Sequence, residues 1–81
     1  MPVSISYELE GYSILSEDRH LDVRVDKTGP FADSDAAGKE ALNRLKAAAY
    51  EIGCNGIIRL RYYRFPDLIT ISGLAVKVKK I

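Results

Sequence analysis

The sequence predicts an α+β domain in which an antiparallel-type sheet carries one long helix on one face. Three observations lead there. Apolar residues alternate with polar ones in the first third of the chain and again in the last third, the period of half-buried strands. Between them lies a stretch whose apolar residues recur at spacings of one, three and four, the period of an amphipathic helix. Glycine and proline signals separate the two regimes.

The opening segment places Val3, Ile5, Tyr7 and Leu9 on one side and Ser4, Ser6, Glu8 and Glu10 on the other, which reads as a strand. Gly11 interrupts it, and Tyr12, Ile14 and Leu15 continue an extended path. Ser16 to Arg19 is polar and reads as a turn. Leu21, Val23 and Val25 then alternate with Asp22, Arg24 and Asp26 as a second strand, which Thr28-Gly29-Pro30 ends.

Asp33 or Ser34 is placed to cap the helix, with Asp35 in the first turn where the dipole favours an acid. Ala41, Leu42, Leu45, Ala48, Ala49 and Ile52 form the apolar stripe. Glu40 and Arg44 are spaced and ordered for an i,i+4 pair. Gly53 supplies a left-handed stop, and Asn55-Gly56 reinforces the break. From Ser34 to Ile52 the helix is roughly 28 Å long at 1.5 Å per residue, a span expected to cover a whole small sheet.

Two strands follow. Ile58, Leu60 and Tyr62 alternate with Arg59, Arg61 and Tyr63, and Pro66-Asp67 makes a turn. The last strand, Leu68 to Lys80, changes phase: Ile69 and Ile71 give way to Leu74, Val76 and Val78. That change predicts a β-bulge at Ser72-Gly73. Strands, helix and hairpin together make one sheet with the helix across one face.

With 81 residues the chain is a single domain, 1–81, near the lower size limit for a self-sufficient core. Chains this short often gain stability by oligomerising. The single cysteine, Cys54, cannot bridge internally, which points to a reducing compartment and hence the cytoplasm. No run approaches 18 apolar residues, so no membrane partner is expected, and the N-terminus lacks the pattern of a secretory signal. Residues 1–55 hold ten acids and six bases, whereas residues 56–81 hold six bases and one acid. These two parts could neutralise one another within the sheet or between subunits, or leave a basic face for an anionic partner.

Three stretches resemble a known family. Ala41 to Ile58 (ALNRLKAAAYEIGCNGII) is similar to the helix-to-strand passage of the YbjQ-like proteins, small bacterial proteins grouped under a label for heavy-metal-binding domains. Ile71 to Lys77 (ISGLAVK) resembles their closing strand, and Leu9 to Ile14 (LEGYSI) their opening Leu-x-Gly-x-x-Ile. The resemblance implies a dodecin-like fold, strand–helix–strand–strand, assembled as ring-shaped homo-oligomers, often pentamers. It implies no assigned activity. The stretch Ser16 to Asp33 departs from the pattern, being shorter than in typical members.

Candidate sites are few. A structural zinc site wants about four Cys or His ligands at short spacings, and here there is one of each, Cys54 and His20. Cys54 reads as a small buried residue where helix meets sheet. His20, beside Asp18 and Asp22, reads as solvated, and metal binding becomes reasonable only where an oligomer gathers several copies. No nucleophile accompanies His20, and Gly29-Pro30-Phe31 lacks phosphate-loop spacing, so no catalytic constellation and no cofactor are expected. The run Arg59 to Phe65 is the most suggestive feature. Arg59, Arg61, Tyr63 and Arg64 could contact an anion or single-stranded nucleic acid through charge and stacking. Against this, the net charge is only +1. The competing expectation pairs Arg59 and Arg61 with Asp22 and Asp26 across the sheet or a subunit boundary, with Tyr62 in the core. The leading expectation is a homo-oligomeric binding or structural module without catalytic activity. The alternatives are a small-ligand or metal carrier at subunit contacts and a nucleic-acid binder.

Overall fold

A computed structural model describes all 81 residues, Met1–Ile81. Strand β1 (Tyr12–Asp26) leads through a short 3-10 turn (Gly29–Phe31) to helix α1 (Ser34–Glu51), then to β2 (Gly56–Arg64) and β3 (Leu68–Lys80). The sheet is antiparallel with order β1-β3-β2, and α1 packs on one face, as expected for an α+β fold. No helix is long and apolar enough to cross a membrane.

The helix forms where its signals place it. Asp33 caps it, its Oδ2 accepting from the Ala36 N–H at 3.3 Å. At the other end Gly53 has φ +81, the Cys54 N–H donates to Ala49 O at 2.9 Å, and the Gly53 N–H donates to Tyr50 O at 3.0 Å. Those two bonds satisfy carbonyls that the last turn would otherwise leave open. Ala37, Ala41, Leu45 and Ala49, four residues apart, are wholly buried. Three of the four are alanines, so the helix lies close to the sheet. Leu42, Ala48 and Ile52 flank this stripe half-buried, and Glu40 accepts from Arg44 Nε at 3.2 Å.

The helix does not cover the whole sheet. Its 18 residues span about 27 Å, whereas the long strands β1 and β3, of 15 and 13 residues, run on past it. The molecule is 40 Å in its longest dimension and 16 Å in its shortest.

Three expectations about the strands are corrected. The first segment is not a regular strand: only the bridge Val3↔Ile57 forms, and Ile5 and Tyr7 are 70% and 64% exposed. Its serines bond locally instead, the Ser6 N–H to Ser4 Oγ at 3.0 Å and the Ser4 and Ser6 hydroxyls to each other at 2.8 Å, which competes with a ladder. The polar turn expected over Ser16 to Arg19 lies inside β1. No glycine or proline stops the chain there, and the polar run instead carries two register irregularities, at Ile14/Ser16 and Glu17/His20.

The bulge expected at Ser72-Gly73 lies on the neighbouring strands. β3 runs without interruption, while an extra residue enters β1 between Glu17 and His20 and β2 between Ile58 and Arg61. A central strand bonded on both sides would lose two ladders to a bulge, whereas an outer strand loses one. Gly73 serves packing: a Cβ there would lie 2.5 Å from Ile57 Cγ2. The phase change in β3 instead records a change of face. Ile69, Ile71 and Ala75 join the cluster under the helix, while Leu74, Val76 and Val78 join a second cluster with Leu9 and Ile58 on the far side.

Candidate functional site

The far face of the sheet is covered at one end and open at the other. At the covered end the N-terminal segment runs beside β2. It is tied by Ile57 N–H to Pro2 O at 3.1 Å, Ser4 N–H to Ile57 O at 3.0 Å, Leu60 N–H to Ser4 O at 3.0 Å and Arg59 N–H to Ser6 O at 2.8 Å. It then turns back so that Leu9 sits over Gly56, where a Cβ would meet Leu9 Cδ1 and Val78 Cγ1 at 3.1 Å each.

The open end is built from cross-strand rows. Residues directly opposite in an antiparallel ladder share a face. Asp22 and Arg61 both face Ser72, and Arg24 and Tyr63 both face Thr70. Asp22, Arg24, Tyr63, Phe65 and Thr70 line one shallow groove there. Tyr63 and Phe65 are 53% and 48% exposed. The surface therefore offers two arginines, two aromatic rings, two hydroxyls and one carboxylate in a compact array, able to stack a flat group and neutralise an anion beside it.

The four residues of the basic-aromatic run divide among three places. Arg61 and Tyr63 belong to the open face, where Arg61 Nη1 donates to Ile5 O at 3.3 Å. Arg64 lies on the helix side and lines a different groove with Tyr62, Ser34, Asp35, Gly38, Lys39 and Leu42. Tyr62 is 41% exposed rather than core. Arg59 sits at the bulge with φ +56, its guanidinium 4.9 Å from the Tyr7 ring centroid and its Nε buried without a partner. Strand alternation parts Arg64 from Tyr63, while the extra residue in β2 isolates Arg59, putting Ile58 on the far face and returning Leu60 to the helix side.

The expected pairing of Arg59 and Arg61 with Asp22 and Asp26 does not form within the chain. Asp22 and Arg61 flank Ser72 from opposite sides, about 9–10 Å apart at two strand spacings. The ion pairs that form are local: Arg19–Asp18 at 3.0 Å, Arg24–Asp26 at 3.1 Å and Arg44–Glu40 at 3.2 Å. All are exposed enough for water to screen them.

Cys54 is buried in the helix-side cluster. Burial pushes its thiol pKa up, and the charge of Asp18 adds to the shift, against smaller opposing effects of Lys77 and Arg19. At neutral pH it is a thiol, the form least suited to metal or nucleophilic chemistry. His20 is exposed on β1, opposite Leu74, and nowhere do three His, Cys, Asp or Glu side chains converge.

Asn55 does more than mark the end of the helix. Its side chain acts as a short extra strand: Nδ2 donates to Val78 O at 3.1 Å and Oδ1 accepts from the Val78 N–H at 2.8 Å. The signal was present in Asn-Gly at a helix exit, but its partner lies 23 residues on.

No protein-family model matches the chain, and no curated protein matches it in sequence.

Proposed function

We propose that the protein is a homo-oligomeric binding or structural module with no catalytic activity of its own. The observation that supports this is the sheet's unequal edges. β2 is bonded by the N-terminal segment from Ile57 to Leu60, whereas β1, 15 residues long, is bonded only to β3. A long unpaired edge on a thin subunit favours closure by another chain. The resemblance to the YbjQ-like proteins favours the same conclusion, with a pentameric ring as its arrangement and a dimer as the simpler one. Sedimentation equilibrium at micromolar concentration tests it: the expected mass is a multiple of 9.0 kDa, and a single species at 9.0 kDa overturns it.

A second reading takes the open face as a contact for single-stranded nucleic acid. It is favoured by Arg24, Arg61, Tyr63 and Phe65 on one side of the sheet and opposed by Asp22 among them. Tyr63→Ala should then weaken oligonucleotide binding, read by fluorescence anisotropy at low salt, by about 1–3 kcal/mol per lost stack. Binding unchanged by the substitution removes this reading. A metal or small ligand would need groups from more than one subunit, which native mass spectrometry of protein purified without chelators would reveal as retained mass.

A further inference from the structure

We propose that the contact between subunits is an antiparallel pairing of β1 with β1 of a second copy, centred on Val23. This rests on the self-assembly reading and gives it a register. The Lys27 N–H donates to Asp67 O at 2.9 Å, a bond that continues the ladder in which Asp26 faces Leu68 and Arg24 faces Thr70. Lys27, and with it Val25, Val23 and Leu21, therefore turns its backbone groups toward β3. Asp22 and Arg24 turn theirs outward, where no segment of the chain bonds them.

Two such edges pair only if outward groups meet outward groups, so an even-numbered residue must lie opposite an even-numbered one. Within the regular stretch from His20 to Asp26 the charges then choose. Centring on Asp22 sets that carboxylate against its own copy. Centring on Arg24 sets two guanidinium groups together and Asp22 against the partner's Asp26. Centring on Val23 puts Asp22 opposite the partner's Arg24 twice over by symmetry, and His20 opposite the partner's Asp26. On the helix side it puts Val23 against the partner's Val23 and Leu21 against the partner's Val25. A register centred on Val25 is short, and the Asp26 carbonyl already accepts from the Thr28 N–H at 2.9 Å. One centred on Leu21 would have to cross the irregularity between Glu17 and His20.

The Val23 register also completes what one subunit leaves unfinished. Leu21 and Val23 are only half-buried at the rim of the helix-side cluster, and a second copy extends that cluster across the two-fold axis. Opposite charges facing one another and apolar pairs on the other side are the pairs that stabilise a sheet. The existing Arg24–Asp26 pair leaves both side chains more than half exposed, 65% and 59%, so water already screens it and Arg24 can exchange partners. The contact is isologous, and it makes a dimer or an assembly of dimers.

Charge exchange tests the register, read by sedimentation equilibrium. Asp22→Arg and Arg24→Asp each place two like-charge pairs at the contact and should raise the dissociation constant at least about tenfold. An equimolar mixture of the two variants faces opposite charges again and should recover association. Val23→Cys in a Cys54→Ala background should give a covalent dimer under a mild oxidant, since opposed residues of a non-hydrogen-bonded pair lie about 4.5 Å apart at Cα, within disulfide reach. That result decides the matter should either charge variant fold poorly. A monomeric parent overturns this contact together with the self-assembly reading. A parent that associates as an odd-numbered ring overturns the contact alone. So does one whose mass ignores both charge variants while Val23→Cys stays uncrosslinked.

Discussion

The two faces of the sheet are closed by different means. Under the helix, eleven buried residues form one cluster, and α1 supplies Ala37, Ala41, Leu45 and Ala49 to it at a regular spacing. On the far side five buried residues form the other, and a single loop side chain, Leu9, closes it at one end. The same central strand serves both, with Ile69, Ile71 and Ala75 turned one way and Leu74, Val76 and Val78 the other. An apolar strand pattern therefore marks burial without saying what does the burying. A regular element covers a length of sheet, whereas a loop covers a spot and leaves the rest open to partners.

The largest effect should come from breaking the helix-covered face. Leu45 is wholly buried, and Leu45→Asp would put a carboxylate among Ala41, Ala49 and Ile57 with nothing to pair it. An uncompensated buried charge costs several kcal/mol, against a total of about 4–12 kcal/mol for a chain this long. Circular dichroism should show the helix lost at 25 °C. A melting temperature within a degree or two of the parent would show that Leu45 is not in the core.

These two closures also explain what the sequence made legible. The helix carries its cap, its stripe and its stop between Asp33 and Gly53, so periodicity is enough to place it. The hairpin strands were equally plain, because Pro66-Asp67 marks the turn between them and the Phe65 N–H closes it on Leu68 O at 2.9 Å. The alternation in Val3 to Leu9 misled because serine side chains bond their own backbone there and only one bridge to β2 survives. The displaced bulge has a similar origin: a phase change in β3 cannot tell an extra residue from a change of covered face. Of the candidate residues, Arg61 and Tyr63 share the open face, whereas Arg59 sits at the bulge and Arg64 on the helix side. Arg64 is turned away from Tyr63 by simple strand alternation, but the extra residue in β2 that sets Arg59 apart leaves no mark in the local sequence, since Arg59 is an unusual choice for positive φ.

A smaller effect should follow from opening the loop-covered face. Leu9→Ala removes the side chain that packs on Gly56 and Val78. Leucine truncations in cores cost about 2–5 kcal/mol, and the low end is expected because a loop can settle into the space. Hydrogen exchange should quicken first at the amides of Ile57, Arg59 and Leu60, which bond the N-terminal segment, while α1 keeps its protection. Equal loosening of the helix would mean that the two faces are a single cooperative unit.

Between the faces lies Arg59, where the bulge holds a non-glycine residue at φ +56. Left-handed backbone costs about 1–2 kcal/mol for such a residue, and stacking on Tyr7 returns about 0.5–1 kcal/mol. Arg59→Gly removes both effects, so its stability should lie within about 1 kcal/mol of the parent. Tyr7→Ala removes only the favourable one and should be the more destabilising, as urea titration would measure. The reverse order would show that the arginine side chain, rather than the bulge, sets the path of β2.

The smallest effect is a pH dependence confined to the helix-covered face. Burial raises the Cys54 thiol above its ordinary value of 9.0 in the folded chain, with Asp18 adding to the shift. The thiolate is thus favoured in the unfolded chain relative to the folded one. This contribution is fully present below the unfolded value and is lost as pH rises through the folded value. Lysines and tyrosines titrate in the same region, so parent and Cys54→Ala must be compared at each pH. Between neutral pH and about 8 the difference in their melting temperatures should be constant, because the thiol is protonated in both states of the parent. Above about 9 the parent alone should lose ground, shifting the difference in the variant's favour. A difference that stays flat to pH 11 would mean that water reaches the thiol, and that the junction of helix and sheet opens more readily than the loop-covered face beside it.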